Sequence, residues 1–311
     1  MARFNLGACR RSNSSHRTGK RRALLAGAGL ACMLLAAHAQ DSQAVLRVCA
    51  DPGNLPLSNN QGEGYENKIA QALARDLKRR VEFTFFPQRM GFVRNTLRQR
   101  DEATQQFKCD VIIGVPKGFE LTATTRPYMR STYALLLDSR EEFARLQAPE
   151  DLLTLPPALR QKLRIGVFGR SPGADWLLRN DLLDHAVFYA PQSGDPSVSP
   201  ADVIEHDLAA GKIDMAIAWG PMAGFLVGRH TQSPAWRALP FKPDATIKFD
   251  YEISMGVRFG EKEWKDTLDQ WISTHERDVQ AILAGYRVPL LDANGELIAP
   301  REPGTKTAYT P

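Results

Sequence analysis

Short runs of consecutive apolar residues alternate along the chain with segments in which apolar residues recur at helical spacing. Val45–Ala50 has the pattern of a strand and 109–114 is an apolar run typical of a buried parallel strand, whereas Ile69, Ala72 and Leu73 share one helix face. The predicted strands are 45–50, 81–86, 109–114, 131–137, 163–168, 186–189, 213–219 and 253–257, and the predicted helices are 65–77, 92–97, 174–183, 201–210 and 264–283. This order contains two βαβαβ series, which predicts an α/β protein with parallel sheets.

The repeated series predicts two lobes. The length of 311 residues agrees, because it exceeds what one core usually holds. We place lobe 1 in two stretches, 40–136 and 247–289, and lobe 2 at 137–246, and we expect the polar C-terminal tail, 290–311, to be poorly ordered. Open α/β sheets bind ligands at the carboxyl ends of their strands. The expected architecture is therefore two-lobed, with a hinge and a central ligand cleft between the lobes.

The first 39 residues have the pattern of a secretory signal. Seven arginine and lysine residues precede an apolar run at 23–37, and small residues follow at Ala37 and Ala39. That run is shorter than the roughly 20 residues a membrane anchor requires. Removing the segment changes the formal charge from +5 to about −2, which leaves no electrostatic support for a nucleic-acid partner. We expect a periplasmic protein that does not span the membrane.

Few residues in the mature chain suggest redox or metal chemistry. Cys49 and Cys109 remain after signal cleavage, and in an oxidising compartment they are either disulfide-bonded or buried as free thiols. The histidines are scattered and no phosphate loop or dinucleotide motif is present, so no metal or cofactor is predicted.

One motif is typical of a serine hydrolase. Residues 169–173 match the G-x-S-x-G pattern between a predicted strand and a predicted helix. However, Pro172 follows the serine and has no N–H to donate to an oxyanion. We therefore predict that the protein is not an enzyme, and that Ser171 either caps a helix or helps that helix start receive a ligand.

Five blocks resemble the family 3 class of bacterial solute-binding proteins, which have the type II periplasmic binding fold, and within it the J-type branch associated with quinoprotein methanol and alcohol dehydrogenases. The blocks are 46–52, 64–69, 86–97, 109–116 and 124–133. The resemblance implies a non-catalytic accessory protein that aids the maturation or activation of a PQQ-dependent dehydrogenase by binding a segment of it. The implied partner is that dehydrogenase or its cytochrome.

The chain departs from the amino-acid binders of that class at two positions. They usually place an arginine after the third strand to bind a carboxylate, where this chain has Lys117, and an aspartate near the end of a lobe 2 strand, where this chain has Trp219 and Gly220. Transport of a free amino acid is therefore not favoured. The alternative function is a receptor that delivers another small solute to an ABC permease.

The candidate cleft residues follow predicted strands or border the hinge. The turn before α-helical residues 65–77 contributes polar groups, with Glu66 placed where a helix start favours its charge. Arginine and aromatic residues are typical anchors of protein recognition. The sequence leaves open that the arginines are solvated, that some polar residues only cap helices, and that Trp219 lies in the core. The set is Asp51, Asn54, Tyr65, Glu66, Gln88, Arg89, Arg94, Pro116, Arg126, Tyr128, Tyr133, Arg170, Ser171 and Trp219.

Overall fold

A computed structural model describes residues 44–191, 198–232 and 234–298, so the predicted signal segment lies outside the described residues. The strands are β1 Val45–Ala50, β2 Gly53–Asn54, β3 Ser58–Asn59, β4 Arg80–Phe85, β5 Val111–Pro116, β6 Ala123–Asp138, β7 Ile165–Phe168, β8 Ala186–Tyr189, β9 Met215–Trp219, β10 Trp236–Pro240 and β11 Asp250–Val257. The α-helices are α1 Tyr65–Asp76, α2 Phe92–Asn95, α3 Pro157–Arg160, α4 Pro172–Arg179, α5 Pro200–Ala209, α6 Gly220–Arg229, α7 Lys262–Thr274 and α8 Glu276–Gly285.

One long strand, β6, joins the two halves of the fold. The described residues form a nine-stranded sheet in the order β4-β1-β5-β11-β6-β9-β7-β8, with β10 also paired to β6. The first part of β6 pairs with β11 as far as Thr132, and from Tyr133 onward it pairs with β9. The chain therefore changes lobes within one strand; the lobe limits at 137 and 246 stay a prediction.

The sheet is mixed, and the prediction of parallel sheets is wrong for the central strands. β1 pairs in parallel with β4 and β5, and β7 with β8 and β9. β6 pairs antiparallel with β11, β9 and β10. The parallel pairs are joined by helical crossovers within each lobe, whereas the antiparallel strands carry the chain between lobes.

Each lobe has its own apolar core. Leu46, Ile69 and Leu268 belong to a cluster on one side of the β6 crossing, and Trp176 and Phe249 belong to a cluster on the other. β6 contributes to both, with Tyr128 and Met129 in the first cluster and Leu135 and Leu137 in the second. The two-lobed α/β fold expected from the sequence is confirmed.

The structure settles the state of the two cysteines. Cys49, in β1, and Cys109, just before β5, form a disulfide that is buried beside Leu97. The guanidinium of Arg258, at the end of β11, donates hydrogen bonds to the carbonyls of Cys109 and Leu97. Together these contacts fix the approach to β5 within lobe 1.

Some elements differ from those predicted. The helical material predicted at 264–283 forms two helices, because α7 ends at Thr274 and α8 begins at Glu276. The sequence pattern misses β10 and α6, and the beginning of the tail is packed rather than poorly ordered: Leu291 is buried and its N–H donates to the carbonyl of Arg130 at 2.8 Å. The rest of the tail, 299–311, lies outside the described residues.

Replacing Gly224 in α6 with alanine should destabilise the protein. A Cβ at Gly224 would lie 2.0 Å from the carbonyl oxygen of Arg287, and a backbone atom cannot move aside cheaply. We expect Gly224→Ala to lower the free energy of unfolding by about 1–3 kcal/mol. Urea denaturation followed by circular dichroism measures the change.

Gly228→Ala is the matched control in the same helix. A Cβ at exposed Gly228 would lie 3.7 Å from the Arg287 side chain, so the higher helix propensity of alanine should raise stability by about 0.5–1 kcal/mol. Equal effects of the two substitutions would contradict the packing described here.

Removing the disulfide should also destabilise the fold. The bond spans 60 residues, for which the chain-entropy relation gives a loss of about 4 kcal/mol in Cys49→Ala/Cys109→Ala. Comparing the double variant with reduced wild-type protein in the same denaturation experiment separates the lost crosslink from the lost sulfur atoms. An unchanged unfolding midpoint in both would show that the crosslink does not stabilise lobe 1.

Candidate binding cleft

A cavity of about 260 Å³ lies where the strands of the two lobes end. We call it the cleft. The carboxyl ends of β5 and β9, the start of β11 and the first turn of α1 meet there, as expected for an open α/β sheet. The cleft is lined by Leu57, Tyr65, Glu66, Gln88, Gly114, Val115, Pro116, Tyr133, Trp219, Tyr251 and Ile253. Its lining is mostly apolar or aromatic.

Three aromatic side chains form one wall, which we call the aromatic wall. Tyr133 on β6 pairs directly with Trp219 on β9, and their ring centroids lie 5.5 Å apart. Tyr251 on β11 completes the wall, 5.9 Å from Trp219 and 6.5 Å from Tyr133. Burial raises the pKa of Tyr133 to about 12, so its hydroxyl stays neutral at physiological pH. The wall sits where β6 changes from one lobe to the other.

The start of α1 fixes the opposite side of the cleft. The N–H groups of Tyr65 and Glu66 donate to the carbonyls of Pro56 and Leu57 at 2.8 and 2.9 Å. A Cβ at Gly64 would lie 2.1 Å from the Leu57 carbonyl oxygen, so only glycine permits this approach. These contacts fix the direction in which Glu66 leaves the helix.

Glu66 brings a buried carboxyl group to the cleft. The residue is 5% exposed, and among the described residues no hydrogen bond or ion pair reaches its side-chain oxygens. Burial and then the charge of Asp51 raise the pKa of Glu66 from 4.5 to about 8. A helix start favours a negative charge, whereas burial and the charge of Asp51 oppose it at Glu66.

The other predicted polar residues of lobe 1 support the cleft loop. Asp51 accepts hydrogen bonds from the N–H groups of Gly53 and Gln88, and its own N–H donates to Ser58. The Asn54 amide donates to the Gln88 side chain at 3.4 Å. Gln88 is therefore positioned at the cleft, whereas the carboxylate of Asp51 is engaged within the loop.

Several predicted cleft residues are not among those that line the cavity. Arg89, Arg94 and Arg126 are exposed, and the Arg126 N–H donates to Asp269 at 2.6 Å. Tyr128 is buried in lobe 1, with a hydroxyl that has no hydrogen-bond partner among the described residues.

At the start of α4, Arg170 is exposed and Ser171 is buried. The Ser171 hydroxyl donates to the carbonyl of Phe168 at 2.7 Å and accepts from the N–H of Ala174. The serine of the G-x-S-x-G motif is thus used as a helix cap. The sequence also allows this helix start to help receive a ligand. Neither Arg170 nor Ser171 is among the residues that line the cleft.

The cleft brings together Tyr65, Glu66, Gln88, Pro116, Tyr133 and Trp219 from the predicted set. Their role in binding stays a prediction. Sequence reasoning misses Tyr251 because the predicted strand begins at 253, beyond the polar residues at 250 and 252. The position of this segment in the chain could have indicated it, because a strand that returns to lobe 1 must pass the cleft.

A second groove, of about 300 Å³, adjoins the cleft and shares Pro116 and Tyr251 with it. We call it the polar groove. Its charged groups are largely paired with one another, because Arg130 bonds Asp250 at 2.8 Å and Lys117 bonds Glu252 at 2.9 Å. Lys248 lies over the Tyr251 ring, 5.4 Å from its centroid.

Within the described ranges, no group of three or more histidine, cysteine or acidic residues is arranged to hold a metal ion. In the same ranges, no helix has both the length and the apolar character needed to cross a membrane.

Comparison with known proteins relates the chain to J-type periplasmic proteins, although no family model matches it. Protein MoxJ of Paracoccus denitrificans is 26% identical over 281 residues, which is 86% of this chain and 97% of MoxJ. The crystal structure of the periplasmic binding protein XoxJ from Methylobacterium extorquens AM1 is 35% identical, with a TM-score of 0.61, and the match covers 79% of this chain and 99% of XoxJ.

The crystal structure of MxaJ from Methlophaga aminisulfidivorans MPT has the same fold, with a TM-score of 0.64 at 24% identity over 79% of this chain and 100% of MxaJ. The identity to XoxJ over almost its whole length, together with the two-lobed fold and the five sequence blocks, establishes the family. The chain belongs to the J-type branch of the family 3 periplasmic solute-binding proteins, the branch of MoxJ and XoxJ.

Proposed function

We propose that this protein is a non-catalytic periplasmic accessory protein of a PQQ-dependent methanol or alcohol dehydrogenase, and that it aids maturation or activation of the enzyme by holding a segment of it in the cleft. The observation that carries the proposal is the chemistry of the cleft, which combines an aromatic wall with a buried carboxyl group and contains no basic side chain among its lining residues.

That lining does not suit a free amino acid. The carboxylate of such a ligand needs a positive partner, usually a bidentate arginine, and would here lie close to the carboxyl group of Glu66. Lys117 follows β5 at the corresponding place, but its ammonium is paired with Glu252. β9 ends in Trp219, where the amino-acid binders usually place an aspartate, so the second half of their clamp is also missing.

Two features support a protein segment as the occupant. Tyrosine and tryptophan give large contact areas at a low cost in conformational entropy, and they are enriched among residues that dominate protein interfaces. In addition, Met90, two residues after the cleft residue Gln88 in the sequence, is a 98% exposed apolar side chain. A cavity of about 260 Å³ has room for one or two side chains, with the remainder of the segment crossing its edge.

Trp219→Ala should weaken binding of the mature protein to its cognate quinoprotein dehydrogenase. Loss of a central aromatic anchor typically costs 2 kcal/mol or more, so we expect the dissociation constant to rise by at least about tenfold. Surface plasmon resonance with the purified dehydrogenase measures this change. Phe188→Ala is the control, because Phe188 is 56% exposed in β8, outside the cleft lining.

A different result would favour the transport receptor. If the mature protein fails to bind or activate the dehydrogenase and instead retains a small molecule on purification, the accessory role is wrong. A ligand at about 100 times its dissociation constant should then stabilise the protein by about 2.7 kcal/mol in a thermal-shift screen.

A further inference from the structure

Glu66 is a buried acid in the cleft with no partner. A buried carboxyl group without a hydrogen bond costs stability, and the cost is greater when the group is ionised. Its two oxygens can accept hydrogen bonds, yet none is supplied by the described residues. Oε1 lies beside Gly114, where an added Cβ would approach it to 2.0 Å, so the carboxyl group occupies the space that the glycine leaves.

The groups around Glu66 leave its charge uncompensated. Asp51 is negative and already accepts two N–H groups, while Tyr65 and Tyr128 are buried tyrosines whose pKa values burial raises well above 10.0. Tyr133 and Tyr251, across the cleft, are neutral for the same reason. The nearby Lys117 and Arg130 are paired with acids in the polar groove. Lys248, which also lines the polar groove, lies over the Tyr251 ring and forms no ion pair with Glu66. Because none of the residues that line the cleft is basic, a counter-ion must arrive with the occupant.

We propose that the occupant of the cleft carries a primary ammonium group, as on a lysine side chain, and that Glu66 is its counter-ion. The ring faces of Tyr133 and Trp219 cover the alkyl chain and attract the charge. That the ammonium group belongs to a lysine in a segment of the dehydrogenase rests on the proposed function. That the occupant carries an ammonium group rests on the chemistry of the cleft alone.

An ammonium group fits the cleft better than a guanidinium group. Ammonium has three N–H donors, whereas guanidinium has five in a fixed plane. The side-chain acceptors at the cleft are few, chiefly the Glu66 carboxylate and the amide oxygen of Gln88. A buried guanidinium would leave several donors unsatisfied, at a cost for each.

Binding of an ammonium ion should also release a proton. With a pKa raised to about 8, Glu66 holds its proton at pH 7 while the cleft is empty. A positive charge at contact distance lowers that pKa, so the carboxyl group ionises as the cation binds. We expect about one proton to leave per cation bound at pH 7.

The first experiment titrates the mature protein with n-butylammonium, a mimic of the lysine side chain, and with n-butanol as the neutral control. Amide NMR shifts near Glu66 and Gly114 report binding, at probe concentrations up to about 100 mM to detect weak affinity. Calorimetry in buffers of different ionisation enthalpy counts the protons released. We expect n-butylammonium to bind at least about tenfold more tightly than n-butanol, with proton release.

Glu66→Gln separates charge from hydrogen bonding, because glutamine keeps the size and a carbonyl oxygen that accepts hydrogen bonds but cannot ionise. It should lose the preference for n-butylammonium and the proton release. Glu263→Gln, which removes an exposed negative charge in α7 away from both cavities, should keep both. The proposal is overturned if n-butylammonium does not bind, if n-butanol binds equally well, or if Glu66→Gln binds the cation like wild type.

The stability of the empty protein should depend on the same group. Between pH 4.5 and 8 folded Glu66 holds a proton that the unfolded chain has released, so stability should fall as pH rises through this interval. Glu66→Gln should make the melting temperature less dependent on pH over that range. An identical pH profile in wild type and Glu66→Gln would show that the carboxyl group is not buried unpaired.

Failure of the ammonium site and failure of the accessory function give different results in these tests. Dehydrogenase binding that is indifferent to Glu66→Gln, with no binding of n-butylammonium, would overturn the ammonium site and leave the proposed function standing. Binding of n-butylammonium through Glu66, without any binding of the dehydrogenase, would support the site and overturn the proposed partner. The decisive measurement is therefore the n-butylammonium titration of wild type against Glu66→Gln.

Discussion

The backbone hydrogen bonding of β6 is the constraint on which the architecture depends. A single strand of 16 residues pairs with β11 of lobe 1 and then with β9 and β10 of lobe 2. Because side chains of a strand alternate between faces, the register in one lobe fixes which residues face outward in the other. The cleft therefore forms at the point where one strand changes partners, and Tyr133 occupies that point.

Interactions that are unfavourable for the stability of the folded protein lie together at the cleft. Aromatic side chains remain partly exposed there, and the Glu66 carboxyl group is buried without gaining a hydrogen bond from the described residues. Elsewhere most charged groups that lose solvent find partners, as with Arg258 at the disulfide and Arg140 at Asp138. Such local deficits are expected where a protein meets a ligand, since the occupant can supply the missing interactions.

The sequence predicts most of the secondary structure, because apolar runs and helical spacing report burial. It predicts β1 and the start of α1 at the residues where they are found, and β5 two residues too early. It misses α6, whose glycines and proline are typical of a turn, because the helix is held by close contact of Gly224 with the Arg287 backbone. The start of β11 is missed for a related reason: its polar residues face two cavities rather than a core. The ionisation of Glu66 depends on tertiary burial, which no local pattern reports.

The aromatic wall stands largely apart from the cores that hold the lobes together. Trp219 and Tyr251 belong to none of the apolar clusters formed by the described residues, and Tyr133 only packs against the edge of one. Substitutions in the wall can therefore alter the lining of the cleft without removing the contacts that fold either lobe. In engineering terms, the cleft lining can be redesigned separately from the cores of the two lobes.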